Sequence, residues 1–223
     1  HPLYLLVLAT IAERDPGFYP RAKLASWLIG LGSTGVLLLI VSRISGPLGV
    51  VLVALLLGHN ELWLSMSYSI AVERLLFALL AAAWYWICFR AASGPAQAAA
   101  GVCLGLAYQT KATTLIVVLA YLVAQIWNSG VHVIRNRSVW MLLVAWLVVS
   151  SPLVVRNVRV FGSPFFNVNS KYMWLDDWSE VKLLDEETIA TQSMVRFVER
   201  NGVGALVVRM FGGLVREASY LLT

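Results

Sequence analysis

Between Leu24 and Ser42 the chain reads LASWLIGLGSTGVLLLIVS, without a single Asp, Glu, Lys or Arg. A helix that crosses a bilayer needs about 20 apolar residues, so this stretch predicts a transmembrane helix. The composition agrees, because 59% of the 223 residues are hydrophobic, only 13% are charged, and the mean hydropathy is +0.75. Soluble domains are about half apolar and a quarter charged. We therefore expect an integral membrane protein rather than a soluble or disordered chain.

Further charge-free runs follow the first one, and the second begins at a Gly46-Pro47 break. Several runs are shorter than a full crossing, which favours tilted or pocket-lining helices. The predicted fold is all-α, a polytopic transmembrane helical bundle of about six spans with short extracytoplasmic helices. The predicted spans are residues 24–42, 44–60, 75–89 with a helix start near Ser67, 91–110, 112–134 and 138–155.

The charged residues between these runs alternate in character along the chain. Every second turn is basic without an acidic residue, and the positive-inside rule places such turns in the cytoplasm. All Asp and Glu residues fall on the opposite side. The sequence therefore predicts a cytoplasmic end with Arg43, Arg90, Arg135 and Arg137, and an outer end with Glu61, Glu73, Arg74, Lys111 and Arg156.

The two ends of the chain differ from its middle. We expect residues 1–23 to form an outer-surface juxtamembrane segment with a short helix and a turn at residues 14–17, and residues 24–156 to form the bundle. Residues 157–223 are expected to form an extracytoplasmic loop and amphipathic helices. Asp185 is a predicted N-cap for a helix that ends near Asn201-Gly202. From Val203 onward the pattern predicts an interfacial amphipathic helix, with a soluble packing helix as the alternative.

Two cations of the outer end are candidates for binding a phosphate. Lys111 stands between two apolar runs, and Arg156 ends the last run and is followed by Asn157. A guanidinium group binds a phosphate with two parallel hydrogen bonds, and a lipid phosphate would lie at this depth. The alternative for both residues is an anchor whose side chain reaches into the headgroup region.

Acidic side chains of the outer end are candidates for binding a polar substrate. Glu73 is predicted one turn inside a helix, and its neighbour Arg74 is not a ready-made partner because adjacent helix residues face different directions. The alternative for Glu73 is an interfacial residue in contact with water. His59 and Glu61 offer two metal ligands, which is fewer than most sites have, so we expect no metal.

Other patterns indicate packing rather than chemistry. Gly101 and Gly105 have the spacing typical of closely packed helices. Cys88 and Cys103 lie inside apolar runs, which excludes a disulfide scaffold. The sequence has no glycine-rich phosphate loop and no nucleophile elbow, and its net charge of +5 does not by itself indicate nucleic-acid binding.

Several short motifs together resemble one family, the polytopic membrane glycosyltransferases of the GT-C type, which include protein O-mannosyltransferases and the aminoarabinose transferases that modify lipid A. His1-Pro2-Leu3-Tyr4 is similar to the His-Pro-Pro-Leu-Tyr motif that opens an outer helix in this family, although Pro2 stands alone here. Residues 105–111 resemble its Gly-Leu-x-x-x-Thr-Lys segment, and residues 151–164 resemble its Pro-x-x-x-Arg-Asn-x-x-x-x-Gly-x-Pro segment. Asn60, the serine-rich residues 65–69 and Glu73 resemble its polar motif.

The resemblance implies an inverting transferase of the cell envelope, in the bacterial inner membrane with its active face outward. Such an enzyme moves a sugar from a polyprenyl-phosphate donor to a lipid, glycan or protein acceptor, without a cofactor. Lys111 and Arg156, with Asn157 beside it, would bind the leaving phosphate, and Glu73 with Glu61 behind it would bind the sugar or acceptor. The catalytic carboxylate of the family precedes its His-Pro motif, so we expect this chain to be a piece of a longer enzyme.

Two other classes of function remain open from the sequence. A transporter or flippase would move a lipid-linked or anionic substrate without chemistry, and an assembly subunit would only pack against partners. Transporters place broken helices and charges near the bilayer midplane, whereas the candidate site charges here gather at one face of the membrane rather than near its midplane. The expected partners are membrane lipids, the donor and the acceptor, and no nucleic acid.

Overall fold

The computed structural model describes residues 2–11, 17–68, 72–90, 93–176, 185, 188–189 and 191–222. Within these ranges the regular elements are helices and no strand occurs, which confirms the all-α prediction. Short 3₁₀ helices lie at Ala112–Thr114 and Gly130–Arg135. The α-helices are α1 (Pro2–Ala9), α2 (Phe18–His59), α3 (Glu61–Tyr68), α4 (Glu73–Phe89), α5 (Gly94–Thr110), α6 (Leu115–Ser129), α7 (Arg137–Phe161), α8 (Val168–Tyr172) and α9 (Met194–Leu222).

The chain divides into two compact units, His1–Pro164 and Phe165–Thr223. The first unit contains α1 to α7, and the second contains α8 and α9. The predicted boundaries at residues 23 and 156 separate membrane-embedded from extracytoplasmic segments. A division into compact units does not test them, so they stay predictions.

The long helix α2 is a hairpin rather than one rod. Gly46 has φ 68° and ψ −167°, a conformation that interrupts the helix and favours glycine. The Arg74 side chain contacts both Gly30 and Trp63, although a straight helix would place Gly30 more than about 40 Å from its own C-terminal end. The chain therefore reverses at the predicted Gly46-Pro47 break, and α2 consists of two arms, residues 18–45 and 47–59.

Close contacts show that α5 and α7 run in the same direction. A Cβ atom on Gly101 would lie 2.2 Å from the Leu142 carbonyl oxygen, and one on Gly105 would lie 2.6 Å from Cβ of Val149. At the end of α5, Gln109 donates a hydrogen bond to the Val149 carbonyl. These contacts confirm that the two glycines serve close helix packing.

Helix α4 and the first arm of α2 run in the direction opposite to α5 and α7. Glu73 at the start of α4 meets Lys111 at the end of α5, so these two helices are antiparallel. The first arm of α2 runs parallel to α4, because Gly30 meets Arg74 and both Arg43 and Arg90 line one cavity further along. We call the end with Glu73 and Lys111 the lysine end, and the opposite end with Arg43 and Arg90 the arginine end.

Among the described residues, three helices are long and apolar enough to cross a membrane: α2, the helical segment Ala112–Arg135 and α7. Large apolar side chains project from their surfaces, and Trp127 and Val131 are 88% and 80% exposed. An apolar surface of this extent is expected where a protein faces lipid. Helices α4 and α5 have 17 residues each, fewer than the about 20 of a full perpendicular crossing. The scheme of six spans stays a prediction.

Two predicted helix boundaries are wrong. Helix α4 begins at Glu73 rather than near Ser67, because α3 is a separate helix that ends at Tyr68 and is capped at its start by a hydrogen bond from the Trp63 N–H to Asn60 Oδ1 at 2.7 Å. Helix α7 continues beyond Arg156 to Phe161. It ends there because Gly162 adopts a left-handed conformation with φ 67°, typical of a helix C-terminus.

Three apolar residues of the second unit, Leu175, Ile189 and Phe197, are buried. Asp185 caps the backbone N–H of Thr188 at 2.9 Å, as predicted. Hydrogen bonds from Thr188 lower the pKa of the Asp185 carboxyl below its ordinary value. The capping bond is therefore fully present above that ordinary value and is lost as the pH falls through the lowered pKa.

The helix predicted to run from Asp185 to Asn201 is interrupted. Lys171 Nζ donates to the Gln192 carbonyl at 3.1 Å, which engages a backbone group that a continuous helix would use. Helix α9 then begins at Met194, with the Arg196 N–H bonded to Ser193 Oγ at 3.3 Å. It bends at Gly202, where φ is 79°. Most of the large apolar side chains described beyond the bend are exposed, namely Val203, Val207, Val208, Met210, Phe211, Leu214 and Val215. Their place at a membrane surface stays a prediction.

Candidate functional site

An ion pair between α4 and α5 lies at the lysine end. Lys111 Nζ is 3.4 Å from Glu73 Oε1, and the two side chains are 30% and 38% exposed. Charge-assisted hydrogen bonds of full strength are about 2.7–2.9 Å long, so this pair is loose. The structure thus brings together two predicted site residues that lie 38 positions apart, and it leaves both accessible to a ligand.

The local backbone explains why Lys111 can leave the apolar interior. Its own φ of −154° and ψ of 121° are extended, so the residue separates α5 from the 3₁₀ helix that precedes α6. The Lys111 N–H still bonds to the Ala107 carbonyl at 2.8 Å, which closes the last turn of α5. A short break between two helices therefore directs the ammonium group toward α4 rather than along its own helix.

Arg74 follows Glu73 in the sequence and lies inside the bundle. Its side chain is only 6% exposed, its Nη2 donates to the Trp63 carbonyl at 2.5 Å, and its guanidinium carbon lies 5.0 Å from the Trp63 ring centroid. A Cβ atom at residue 30 would lie 2.3 Å from Arg74 Nη1. Arg74 thus joins α2, α3 and α4 directly beside Glu73.

Arg156 lies near the C-terminal end of α7, and it is exposed. Its guanidinium carbon is 5.6 Å from the ring centroid of Phe161. Because α5 and α7 are parallel and Gln109 is level with Val149, Arg156 belongs to the lysine end. It lies about 10 Å further along the axis than Val149. The structure therefore places Arg156 and Lys111 at one end, while the guanidinium group itself packs on Phe161.

The other two predicted site residues, Asn157 and Glu61, have different surroundings. Asn157 is buried, and its Nδ2 donates to the Pro164 carbonyl at 3.4 Å, which ties the end of α7 to the following loop. Glu61 is exposed at the first position of α3, where a negative charge interacts favourably with the helix dipole. It forms no ion pair with another residue that the structure describes.

The metal ligands considered from the sequence do not assemble into a larger group. His59 Nδ1 lies 2.8 Å from the Leu55 carbonyl oxygen of its own helix. Among the described residues, no group of three or more His, Cys, Asp and Glu side chains could hold a metal ion.

The N-terminal helix also belongs to the lysine end. The buried Tyr4 hydroxyl of α1 shares a hydrogen bond with Ser26 Oγ, one turn before Gly30 in α2. The Pro2-Leu3-Tyr4 part of the His-Pro motif is therefore on a helix that packs against the bundle through its tyrosine.

Sequence reasoning missed the structural importance of Arg74 and of several buried polar groups near Lys111. Tyr108 OH, Thr114 Oγ1 and Trp146 Nε1 are buried without a hydrogen-bond partner among the described residues. The Tyr108 and Trp146 rings meet edge to face with their centroids 6.0 Å apart. Polar side chains inside apolar runs need a partner or a function, and this signal could have identified Tyr108 and Thr114.

The pair of Glu73 and Lys111 has hydrogen-bonding capacity beyond its single contact. An ammonium group has three donors, and a carboxylate has about four acceptor positions. The pair can therefore bind an anion on the lysine side and hydroxyl groups on the glutamate side without separating. No protein family, no curated protein and no solved structure matches this chain when the three comparisons are made.

Proposed function

We propose that this chain is the membrane part of a glycosyltransferase of the GT-C type, which transfers a sugar with inversion from a polyprenyl-phosphate donor to an acceptor on the outer face. The observation that carries the proposal is the Glu73–Lys111 pair, which is accessible and lies at the same end as Arg156. The resemblance of residues 105–111 and 151–164 to motifs of that family supports it.

In this proposal Lys111 and Arg156 bind the phosphate that leaves with the carrier lipid. Negative charge grows on that phosphate as the bond to the sugar breaks, and fixed cations stabilise the transition state most where charge develops. Arg156 would exchange its contact with the Phe161 ring for the phosphate. An exposed side chain makes that rotation at low cost, because a cation–π contact at an exposed site contributes only about 0.5–1 kcal/mol.

Glu73 has a different role in the same proposal. Its carboxylate accepts hydrogen bonds from hydroxyl groups of the sugar or the acceptor, while its contact with Lys111 holds the ammonium group in position. Glu61, the first residue of α3, would extend this polar surface outward. Asn157, which is buried and bonded to Pro164, would hold the end of α7 so that Arg156 faces the ligand.

The exposed apolar surface of α2, α6 and α7 supports a multi-pass protein whose helices contact lipid. A donor with a long polyprenyl chain suits such a site, because its chain can stay in the bilayer while its phosphate reaches the lysine end. We place this end outside the cytoplasm of a bacterial inner membrane, since the turns at the arginine end carry arginines and no acidic residue, whereas Glu61 and Glu73 lie at the lysine end.

The proposal is tested by measuring sugar transfer with the full-length protein in membranes. Loss of one charge-assisted contact costs about 1.5–3 kcal/mol, so Lys111→Ala should slow transfer about ten- to a hundredfold. Arg156→Lys should also slow it, because an ammonium group cannot replace the planar guanidinium fork. Arg159→Lys is the matched control, since Arg159 is an exposed arginine on the same helix.

Wild-type transfer rates in both Lys111→Ala and Arg156→Lys would contradict the assignment of these residues. Movement of the donor across the membrane without any sugar transfer, in preparations of the wild-type protein, would support a flippase instead.

A further inference from the structure

A cavity of about 450 Å³ lies between the first arm of α2 and α4 at the arginine end. Its volume is within the range of about 300–1,000 Å³ that ligand pockets have. It is far from the Glu73–Lys111 pair, which is at the opposite end of α4. The lining residues are Val36, Leu39, Ile40, Arg43, Ala82, Tyr85, Trp86 and Arg90.

The two arginines of this cavity come from different helices and have the same charge. Arg43 and Arg90 are exposed, and neither guanidinium group forms an ion pair or a hydrogen bond within the part of the chain that the structure describes. No acidic side chain is among the described lining residues. Two guanidinium groups that face one cavity repel each other unless an anion lies between them, so the cavity is complementary to a negatively charged group.

The walls behind the arginines are apolar. Val36, Leu39 and Ile40 of α2 face Ala82 of α4 across the cavity. A small polar anion would bind the arginines and leave these walls exposed. A molecule with an anionic head and a hydrocarbon chain would cover both the charged rim and the apolar walls.

Aromatic residues at the end of α4 indicate the depth of this rim. The Tyr85 ring meets the Trp86 ring edge to face at 5.5 Å and stacks on Phe89 at 5.8 Å. Tyrosine and tryptophan are enriched where a membrane protein passes through the headgroup region. The guanidinium group of Arg90 follows directly, where lipid phosphates would lie.

We propose that this cavity binds an anionic phospholipid of the bilayer. Arg43 and Arg90 bind the lipid phosphate, and one acyl chain lies along Val36, Leu39 and Ile40. Basic pockets between transmembrane helices on the cytoplasmic side bind anionic lipid headgroups in this way. The site is independent of the proposed transferase activity, because it uses neither Lys111 nor Arg156 and lies at the other end of the bundle.

The test measures lipid binding to the purified full chain in neutral detergent, by native mass spectrometry and by thermal unfolding. Phosphatidylglycerol is the probe, and phosphatidylcholine is the zwitterionic comparison. We expect phosphatidylglycerol to remain bound to the wild-type protein and to raise its unfolding temperature more than phosphatidylcholine does. Because one arginine near a membrane surface contributes about a fivefold gain in affinity, the double variant Arg43→Gln/Arg90→Gln should bind phosphatidylglycerol about 25-fold more weakly.

The matched control is Arg135→Gln/Arg137→Gln. It removes the same charge from the same predicted side of the membrane, from two exposed arginines that do not line the cavity. This variant should bind phosphatidylglycerol as the wild type does. Equal weakening in both double variants would mean a general electrostatic attraction and would overturn the site.

A second variant tests the apolar part of the site while keeping both arginines. Ala82→Trp fills the cavity from the α4 wall, so it should reduce phosphatidylglycerol binding in protein that still unfolds cooperatively. Inorganic phosphate at millimolar concentration should not displace the lipid. Displacement by phosphate, or full lipid binding in Ala82→Trp, would contradict a lipid chain in this cavity.

Discussion

Arg74 can lie inside the bundle because residue 30 of α2 is a glycine. The guanidinium group occupies the volume that a Cβ atom at residue 30 would need. A buried guanidinium group is costly unless it is well bonded, and here the Trp63 carbonyl and the Trp63 ring provide contacts. At the scale of single residues, the lysine end therefore depends on a glycine and an arginine on neighbouring helices.

Gly30→Ala should destabilise the protein by about 1–3 kcal/mol, because the added methyl group overlaps Arg74 and displaces it from Trp63. Thermal unfolding in detergent measures this effect. Gly32→Ala is the control, since a Cβ atom there has open space around it and alanine favours helix more than glycine does. Equal unfolding temperatures for the two variants would show that Arg74 does not need the space beside Gly30.

Helix α2 shows how one residue determines the path of an element. Gly46 has a backbone conformation that other residues adopt only with strain. Without this reversal the chain could not return from Gly30 to bring Trp63 to Arg74. The hairpin thus determines which side chains meet at the lysine end.

Gly46→Ala should cost about 1–3 kcal/mol through backbone strain alone, since no atom lies within 4 Å of the added Cβ. The same thermal unfolding assay applies, with Gly35→Ala as a helical glycine that also has open space. An unfolding temperature for Gly46→Ala at or above that of Gly35→Ala would contradict the reversal.

Local patterns in the sequence were sufficient to predict some elements. The Gly46-Pro47 break and the close contact of Gly101 and Gly105 with α7 follow from residue types at short spacing. Two features could not be predicted from local patterns: the separate helix α3, and the start of α4 at Glu73. Both depend on a tertiary contact, because the hydrogen bond from Arg74 to the Trp63 carbonyl stabilises that chain path. The all-α class followed from the composition together with the lengths of the charge-free apolar runs.

The candidate site could be predicted only in part. Glu73, Lys111 and Arg156 were each identified by their charge at the end of an apolar run. The pairing of Glu73 with Lys111 was not predicted, because it depends on the relative lengths and directions of α4 and α5. Arg74 was judged only by its sequence neighbour Glu73, whereas its contacts come from residues 11 and 44 positions away.

At the scale of the whole molecule, the first unit has two chemically different ends. The lysine end contains an ion pair, and the arginine end contains two arginines at one cavity. This separation agrees with the direction of each helix in the structure and with the predicted alternation of turns. We therefore expect the two ends to lie on opposite sides of a membrane.

Single-cysteine labelling of intact cells tests this orientation in a Cys88→Ser/Cys103→Ser background. Ser163 is exposed beyond α7 at the lysine end, and Val131 is exposed in the 3₁₀ helix that precedes α7. The labelling variants are Ser163→Cys and Val131→Cys. A membrane-impermeant maleimide should label residue 163 and should label residue 131 only after the cells are lysed. Labelling of residue 131 from outside would reverse the predicted topology.

The measurement that tests the central claim most directly is the affinity of the full-length protein for a polyprenyl-phosphate-linked sugar. If Lys111 and Arg156 bind its phosphate, Lys111→Ala and Arg156→Lys should each raise the Kd about ten- to a hundredfold, because each loses a charge-assisted contact. The control Arg159→Lys should leave the Kd unchanged. A Kd within twofold of wild type in both Lys111→Ala and Arg156→Lys would contradict the claim that these cations bind the donor.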